Sequence, residues 1–237
     1  MTWEVQSIKV RESWPKVDQF GMNNDRHAVL RPHVVGRASK RAVDIVIATT
    51  ALILLSPLML ITALIVKLSD QGPVFYSHTR IGYGGVAFGC LKFRTMKTDA
   101  AAQLADLLRT NPSARAEWEA TRKLKNDPRI TTVGEILRRS SIDELPQLIN
   151  ILRGEMSVVG PRPVTAEELA RYGEHVTSYM AARPGLTGQW QISGRNDVSY
   201  EHRVALDVQY VRDWSLTRDF IIVAKTVPAL FSQRGCY

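Results

Sequence analysis

From Ile45 to Val66 the chain reads IVIATTALILLSPLMLITALIV, about 22 residues without a charge. A run of this length and composition predicts a helix placed in a membrane. Its flanks carry like charge: Arg37, Lys40 and Arg41 precede it, and Lys67, Arg80, Lys92 and Arg94 follow. Basic flanks favour the cytoplasmic side, so both ends are expected there, which one straight span cannot satisfy. Ser56-Pro57 lies at the midpoint. Proline removes a helix hydrogen bond and bends the axis, and a neighbouring hydroxyl can take up the freed carbonyl. The reading is a re-entrant helix over 37–67, broken at Ser56-Pro57; a bent helix that crosses fully is the alternative. Asp44, inside the basic flank, is expected to pair with Lys40 or Arg41.

After Lys67 the pattern changes to short, polar-interrupted segments. Val74–Tyr76 and Ala87–Arg94 read as two strands joined through Gly82, Gly84 and Gly85. Period two sets Leu91 and Phe93 on one face of the second strand and Lys92 and Arg94 on the other. Residues 99–125 read as a charged, Ala-rich helical segment with Leu104, Leu107, Leu108 and Trp118 spaced for packing. Thr132-x-x-Glu135 opens a short helix ending in Arg138-Arg139, and Thr165-x-x-Glu168 opens another, to about Ala182. The last helix, about 217–232, is apolar enough to lie against lipid or core. Residues 1–36 mix charge with Trp3, Trp14 and Phe20 and lack the early apolar run of a signal peptide, so a mobile tail is expected. The domain reading is therefore tail 1–36, membrane helix 37–67 and a cytoplasmic domain 68–237. The fold class is α+β, mainly helical with a small β-hairpin, monotopic, with interfacial helices.

A net charge of +8 favours anionic partners. Cys90 and Cys236, far apart and without a partner motif, indicate neither a disulfide framework nor a zinc site. The five histidines show no ligand spacing, and no Walker loop, G-x-G-x-x-G or nucleophile elbow is present. The basic charge suits nucleic acid, but no binding module accompanies it and the apolar run argues against that partner.

Against this basic background Asp143 and Glu144 stand side by side. Ser141-Ile142-Asp143-Glu144 fits a capping box, and Leu145, Leu148, Ile149 and Leu152 follow at helical spacing up to Gly154. Pro146 falls at N5 if Ser141 is the N-cap and at N3 if Asp143 is. In either frame both carboxylates stand at a positive helix end, where an ionised acid can serve as nucleophile or metal ligand. Downstream, Gly160-Pro161-Arg162-Pro163 holds one arginine between two prolines, which pre-organises a guanidinium for phosphate. Residues 186–195, LTGQWQISGR, read as a Gly-broken binding loop.

Taken in order, KFRTM (92–96), NDPRIT (126–131), LRRSSIDELPQ (137–147), GPRP (160–163) and PGLTG (184–188) resemble the monotopic phosphoglycosyl transferases over residues 37–237, including the Ser56-Pro57 break. The chain is similar to the short members that begin exopolysaccharide. One departure is His78, where relatives often carry Gln. The resemblance implies transfer of a hexose 1-phosphate from a UDP-sugar, UDP-galactose or UDP-glucose, to undecaprenyl phosphate, with release of UMP. It implies a covalent phosphosugar on Asp143, with Glu144 as metal partner or proton acceptor. Mg²⁺, with Mn²⁺ as substitute, would be held by Asp143 and Glu144. Arg138 and Arg162, then Lys92 and Arg94, are the expected phosphate clamps. Expected partners are UDP-sugar, polyprenyl phosphate and the lipid bilayer, without nucleic acid, a homo-oligomer being allowed. The expected location is the bacterial inner membrane, with the active site on its cytoplasmic face.

Overall fold

The computed structural model describes residues 35–121, 124–193 and 199–231. Nearly all of the expected tail, Cys236 and Gly194–Arg195 of the expected loop lie outside the described residues. The architecture is mainly helical α+β with two small sheets. Helix α1 (Arg37–Asp70) is a single assigned helix of 34 residues with Pro57 inside it. Pro57 has no N–H for the carbonyl of Ile53, and the Ser56 hydroxyl donates to that oxygen at 2.9 Å, as the Ser-Pro pair implied. Ile53, Leu54, Leu60 and Ile61 are exposed, so the middle of α1 shows its apolar surface. By length and composition α1 is able to cross a membrane.

The two ends of α1 are anchored differently from expectation. Asp44 pairs with neither Lys40 nor Arg41. It accepts from Ser157 Oγ at 2.9 Å and from Val158 N–H at 3.0 Å. Lys40 instead bonds Asp219 at 2.7 Å, and Arg41 donates to the carbonyls of Ile151 and Leu152. A buried cation or anion is stable only with such partners. At the other end Asp70 accepts from Thr98 N–H at 3.0 Å, and Val66 is buried with Phe93 and Leu137.

Strands β1 (Phe75–Ile81) and β2 (Ala87–Phe93) pair antiparallel through a 3₁₀ turn at Tyr83–Gly85; Tyr76 faces Lys92 and His78 faces Cys90. The expected first strand is thus longer and shifted. The expected helical segment 99–125 holds two helices, α2 (Ala100–Thr110) and α3 (Pro112–Thr121), because Pro112 ends one and opens the next. Helix α4 (Thr132–Ser140) is capped by Thr131, one residue earlier than expected, with its Oγ1 accepting from Gly134 N–H. Helix α5 (Gln147–Arg153) ends at Gly154, whose φ of 83° provides the left-handed stop.

A parallel pair missing from the sequence reading, β3 (Ser157–Val159) and β4 (Gly185–Thr187), follows. The expected helix 165–182 has its capping box at Thr165 and Glu168 but divides into α6 (Ala166–Ala170) and α7 (Val176–Met180), with Gly173 at φ 53° between them. Helices α8 (Gln189–Ile192), α9 (Tyr200–Arg212) and α10 (Leu216–Phe231) complete the described chain. The main core joins α1, β2, α5, β3, α9 and α10 around Cys90, Ile151, Met156, Tyr210 and Ile222. A second, around Tyr172 and Tyr179, seats α6, α7 and α9.

Candidate active site

The acidic pair does not start a helix by a capping box. Ser141 sits in the left-handed region at φ 57° and makes no side-chain cap bond; Ile142–Glu144 form a 3₁₀ turn, and α5 begins only after Pro146. A non-glycine residue in that region is uncommon and carries strain. What compensates is packing on both sides of the acids. Ile142 and Leu145 insert beside Val66, Phe93 and Leu137, so the residues flanking Asp143 and Glu144 are pinned in apolar contact.

Lys92 rises from β2 opposite this turn. Its Nζ is 2.6 Å from Glu144 Oε1 and 3.7 Å from Asp143 Oδ2. Burial pushes the Asp143 carboxyl up to about 6, Lys92 pulls it down, and the neighbouring Glu144 pushes it up again. Burial disfavours the Lys92 ammonium, but Glu144 and Asp143 outweigh that and hold it above the ordinary lysine range. Arg138 lies within electrostatic reach of Asp143, its Nε donating to Thr95 Oγ1 at 2.8 Å. The structure therefore brings together Asp143, Glu144, Lys92 and Arg138.

Arg94 and Arg162 stand apart from this group. Arg94 is buried beside the end of α1, 3.6 Å from Asp70, with both terminal nitrogens without a hydrogen bond. Arg162 stacks on Trp190, its guanidinium carbon 4.9 Å from the ring centroid. Cys90 is buried within electrostatic reach of both Lys92 and Arg162. Burial pushes its thiol up to about 11, and the charges of Lys92, Glu144, Arg80 and Arg162 act on it. Ser56 and Pro57 occupy the middle of α1, as described above.

Several residues around the site were not anticipated. Asp127 and Arg129 of the NDPRIT segment form a bidentate pair at 2.7 and 2.6 Å, with Arg129 over Trp118. The pair orders the segment whose Thr131 N–H bonds Thr95 O, next to the Thr95 hydroxyl that holds Arg138. Arg203, on α9, lies 4.5 Å from the Trp190 ring centroid. Asp207 is buried one turn further, bonded by the Tyr172 hydroxyl at 2.8 Å, and burial pushes it up to about 7. The available signal was an aspartate within Val204, Val208 and Val211, on an otherwise apolar stripe.

Asp143 and Glu144 offer hard oxygen ligands suited to Mg²⁺, which is commonly held by one or two carboxylates completed by substrate phosphate and water. No group of three His, Cys, Asp or Glu side chains is poised for a metal among the described residues. Both carboxylates face the Lys92 ammonium, so a metal held there would need oxygen ligands from the substrate as well.

The family model for bacterial sugar transferases matches residues 35–233. The chain is 57% identical over 203 residues to the exopolysaccharide production protein ExoY of Rhizobium meliloti, covering 86% of this chain and 90% of that protein. It is 50% identical over 201 residues to the undecaprenyl-phosphate galactose phosphotransferase of Salmonella typhimurium, covering 85% of this chain and 42% of that protein. It is 39% identical over 214 residues to a UDP-glucose:undecaprenyl-phosphate glucose-1-phosphate transferase of Caulobacter vibrioides, covering 87% of this chain and 74% of that protein.

Proposed function

The chain belongs to the bacterial sugar transferase family and is a phosphoglycosyl transferase, and we propose that it moves galactose 1-phosphate from UDP-galactose to undecaprenyl phosphate, releasing UMP. UDP-glucose is the alternative donor. Galactose comes first because the galactose-named relative is 50% identical and two glucose-named ones 39% and 41%. The process served is exopolysaccharide production, after the 57% identical relative. The observation that carries the mechanism is the buried Asp143 carboxylate, held beside Lys92 rather than bonded to it.

In the proposed reaction an Asp143 oxygen attacks the sugar-bearing phosphorus. The new O–P bond replaces the bond to UMP, which leaves with the electron pair. An oxygen of undecaprenyl phosphate then attacks the same phosphorus, and the Asp143 carboxylate departs unchanged. Covalent catalysis divides a transfer between two anions into two smaller steps. Lys92 and Arg138 stabilise charge spread over the transferring phosphoryl oxygens. Glu144 fixes Lys92 and assists in holding a metal. Mg²⁺ bound by Asp143 and Glu144 would neutralise the donor diphosphate.

Membrane placement follows the same reading. α1 dips into the cytoplasmic leaflet and returns, which is supported by its two ends: residues 40–48 and 62–70 both pack on the catalytic domain while the apolar middle is exposed. A straight helix of 34 residues is about 51 Å long, and one crossing a bilayer would carry one of its ends away from that domain. Phe220, Ile221 and Val227 add exposed apolar surface on α10. The test is nucleotide release from purified protein with Mg²⁺, undecaprenyl phosphate and a panel of UDP-sugars. UMP release with one sugar, lost in Asp143→Asn, supports the proposal. UDP release, or full activity in the variant, overturns it.

A further inference from the structure

Five of the seven buried side-chain polar atoms without a hydrogen bond among the described residues belong to one neighbourhood: Arg162 Nε, Trp190 Nε1, Gln191 Oε1, Arg203 Nε and Asp207 Oδ1. Buried polar groups are ordinarily paired, so such a concentration points to a ligand that completes them. We propose that Arg162, Trp190, Gln191 and Arg203 form the subsite for the hydroxyl-bearing part of the nucleotide-sugar donor, with Arg203 as a donor-binding residue. This rests on the transferase reading above.

The geometry is specific. Trp190 is almost fully buried, and the two guanidinium groups stand over its ring at 4.9 and 4.5 Å. The Arg162 charge acts unfavourably on the Arg203 guanidinium, so an anion bound beside the two would relieve the repulsion. Asp207, its Oδ2 bonded by the Tyr172 hydroxyl, lies within electrostatic reach of both arginines. The platform is rigid because Gly160 N–H bonds Thr187 O at 2.9 Å and the backbone of Gly188 lies against Gly160, where any Cβ would overlap the Gly160 carbonyl.

The mixture of unpaired groups selects the ligand. An ionised lipid phosphate presents acceptors only and would satisfy the arginines and the indole N–H. Gln191 Oε1 requires a donor. A sugar or ribose carrying both phosphate and hydroxyls presents both kinds. The Arg162 and Lys92 charges both act on the buried Cys90 thiol, so a donor held by Arg162 that also reaches Lys92 would place its phosphorus toward Asp143.

The test uses full-length Asp143→Asn protein in detergent with Mg²⁺, so that binding is read without turnover. Titration calorimetry follows whichever of UDP-galactose and UDP-glucose the unaltered enzyme consumes, and separately undecaprenyl phosphate and inorganic pyrophosphate. Adding Arg203→Leu is expected to weaken UDP-sugar binding by about tenfold to a hundredfold, the range for a charge-assisted hydrogen bond, with undecaprenyl phosphate binding unchanged. Arg203→Lys recovers part of the loss. Gln191→Met, which keeps both cations, weakens UDP-sugar but not pyrophosphate. Unchanged UDP-sugar affinity in Arg203→Leu and Gln191→Met, or an equal loss for undecaprenyl phosphate, overturns the assignment while the transferase reading stands. An enzyme that consumes neither sugar overturns that reading first.

Discussion

Lys92 bonds Glu144 at 2.6 Å and stands 3.7 Å from Asp143, so one lysine holds two adjacent carboxylates unequally, Glu144 by a hydrogen bond and Asp143 by charge alone. An exposed ion pair is worth little, but here the turn is packed on both sides and the Asp143 charge is buried. The division of labour leads to distinct outcomes for the two residues.

Asp143→Asn preserves shape and removes the proposed nucleophile. Turnover is expected to fall by about a thousandfold or more, as for loss of a catalytic nucleophile elsewhere. Glu144→Gln leaves Asp143 in place, and its loss should be smaller and concentrated in the metal dependence. UMP release at several Mg²⁺ concentrations separates the two; equal, metal-independent losses would contradict these roles.

The raised Asp143 pKa gives a pH dependence of known sign. Attack needs the carboxylate, so kcat/KM for the donor should fall about tenfold per pH unit below about 6. Lys92 lowers this pKa, so Lys92→Met should move the midpoint upward as well as reduce the rate. A midpoint that moves downward would show that Lys92 acts on some other group.

The same shift is a statement about stability. A carboxyl whose pKa is higher in the fold than in the unfolded chain favours folding when protonated, and that contribution is lost as pH rises through about 6. At pH 8 Asp143→Asn should therefore be more stable than the unaltered protein by about 2–3 kcal/mol, with the difference vanishing only below about pH 3. Unfolding in detergent at the two pH values measures it. A variant less stable at pH 8 would mean that Asp143 makes favourable contacts exceeding its burial cost.

The extent to which this could be read in advance depended on the range of the interactions. The apolar run, the Ser56-to-Ile53 bond, the hairpin and the Thr165 capping box depend on near neighbours, and pattern or local chemistry reaches them. The adjacent acids were visible as chemistry, although Ser141 took a left-handed conformation and the capping box did not form. Partners across the fold were not legible. Asp44 found Ser157, 113 residues away, rather than its basic neighbours, because a buried carboxylate needs fixed donors. Arg94 was placed with Lys92 by strand alternation, but lies beside Asp70 at the end of α1. Arg203 and Asp207 belong to a helix absent from the sequence reading, since its apolar stripe is interrupted by the buried acid.

The placement of α1 makes the last prediction. Its first turns are tied to the catalytic domain through Lys40 with Asp219 and Asp44 with Ser157, and its last turns through Val66 and Asp70. If these anchors hold in the bilayer, cysteines at positions 38 and 71, both exposed, lie on the same side. In a Cys236→Ser background, with Cys90 buried, a membrane-impermeant thiol reagent should label both in inside-out vesicles and neither in intact spheroplasts. Pro57→Ala restores a backbone donor for Ile53 and straightens the helix, so part of the population should then expose position 38 or 71 on the opposite face. Opposite-side labelling in the unaltered helix would mean that one set of anchors is broken in the membrane, and that α1 crosses it as a bent span.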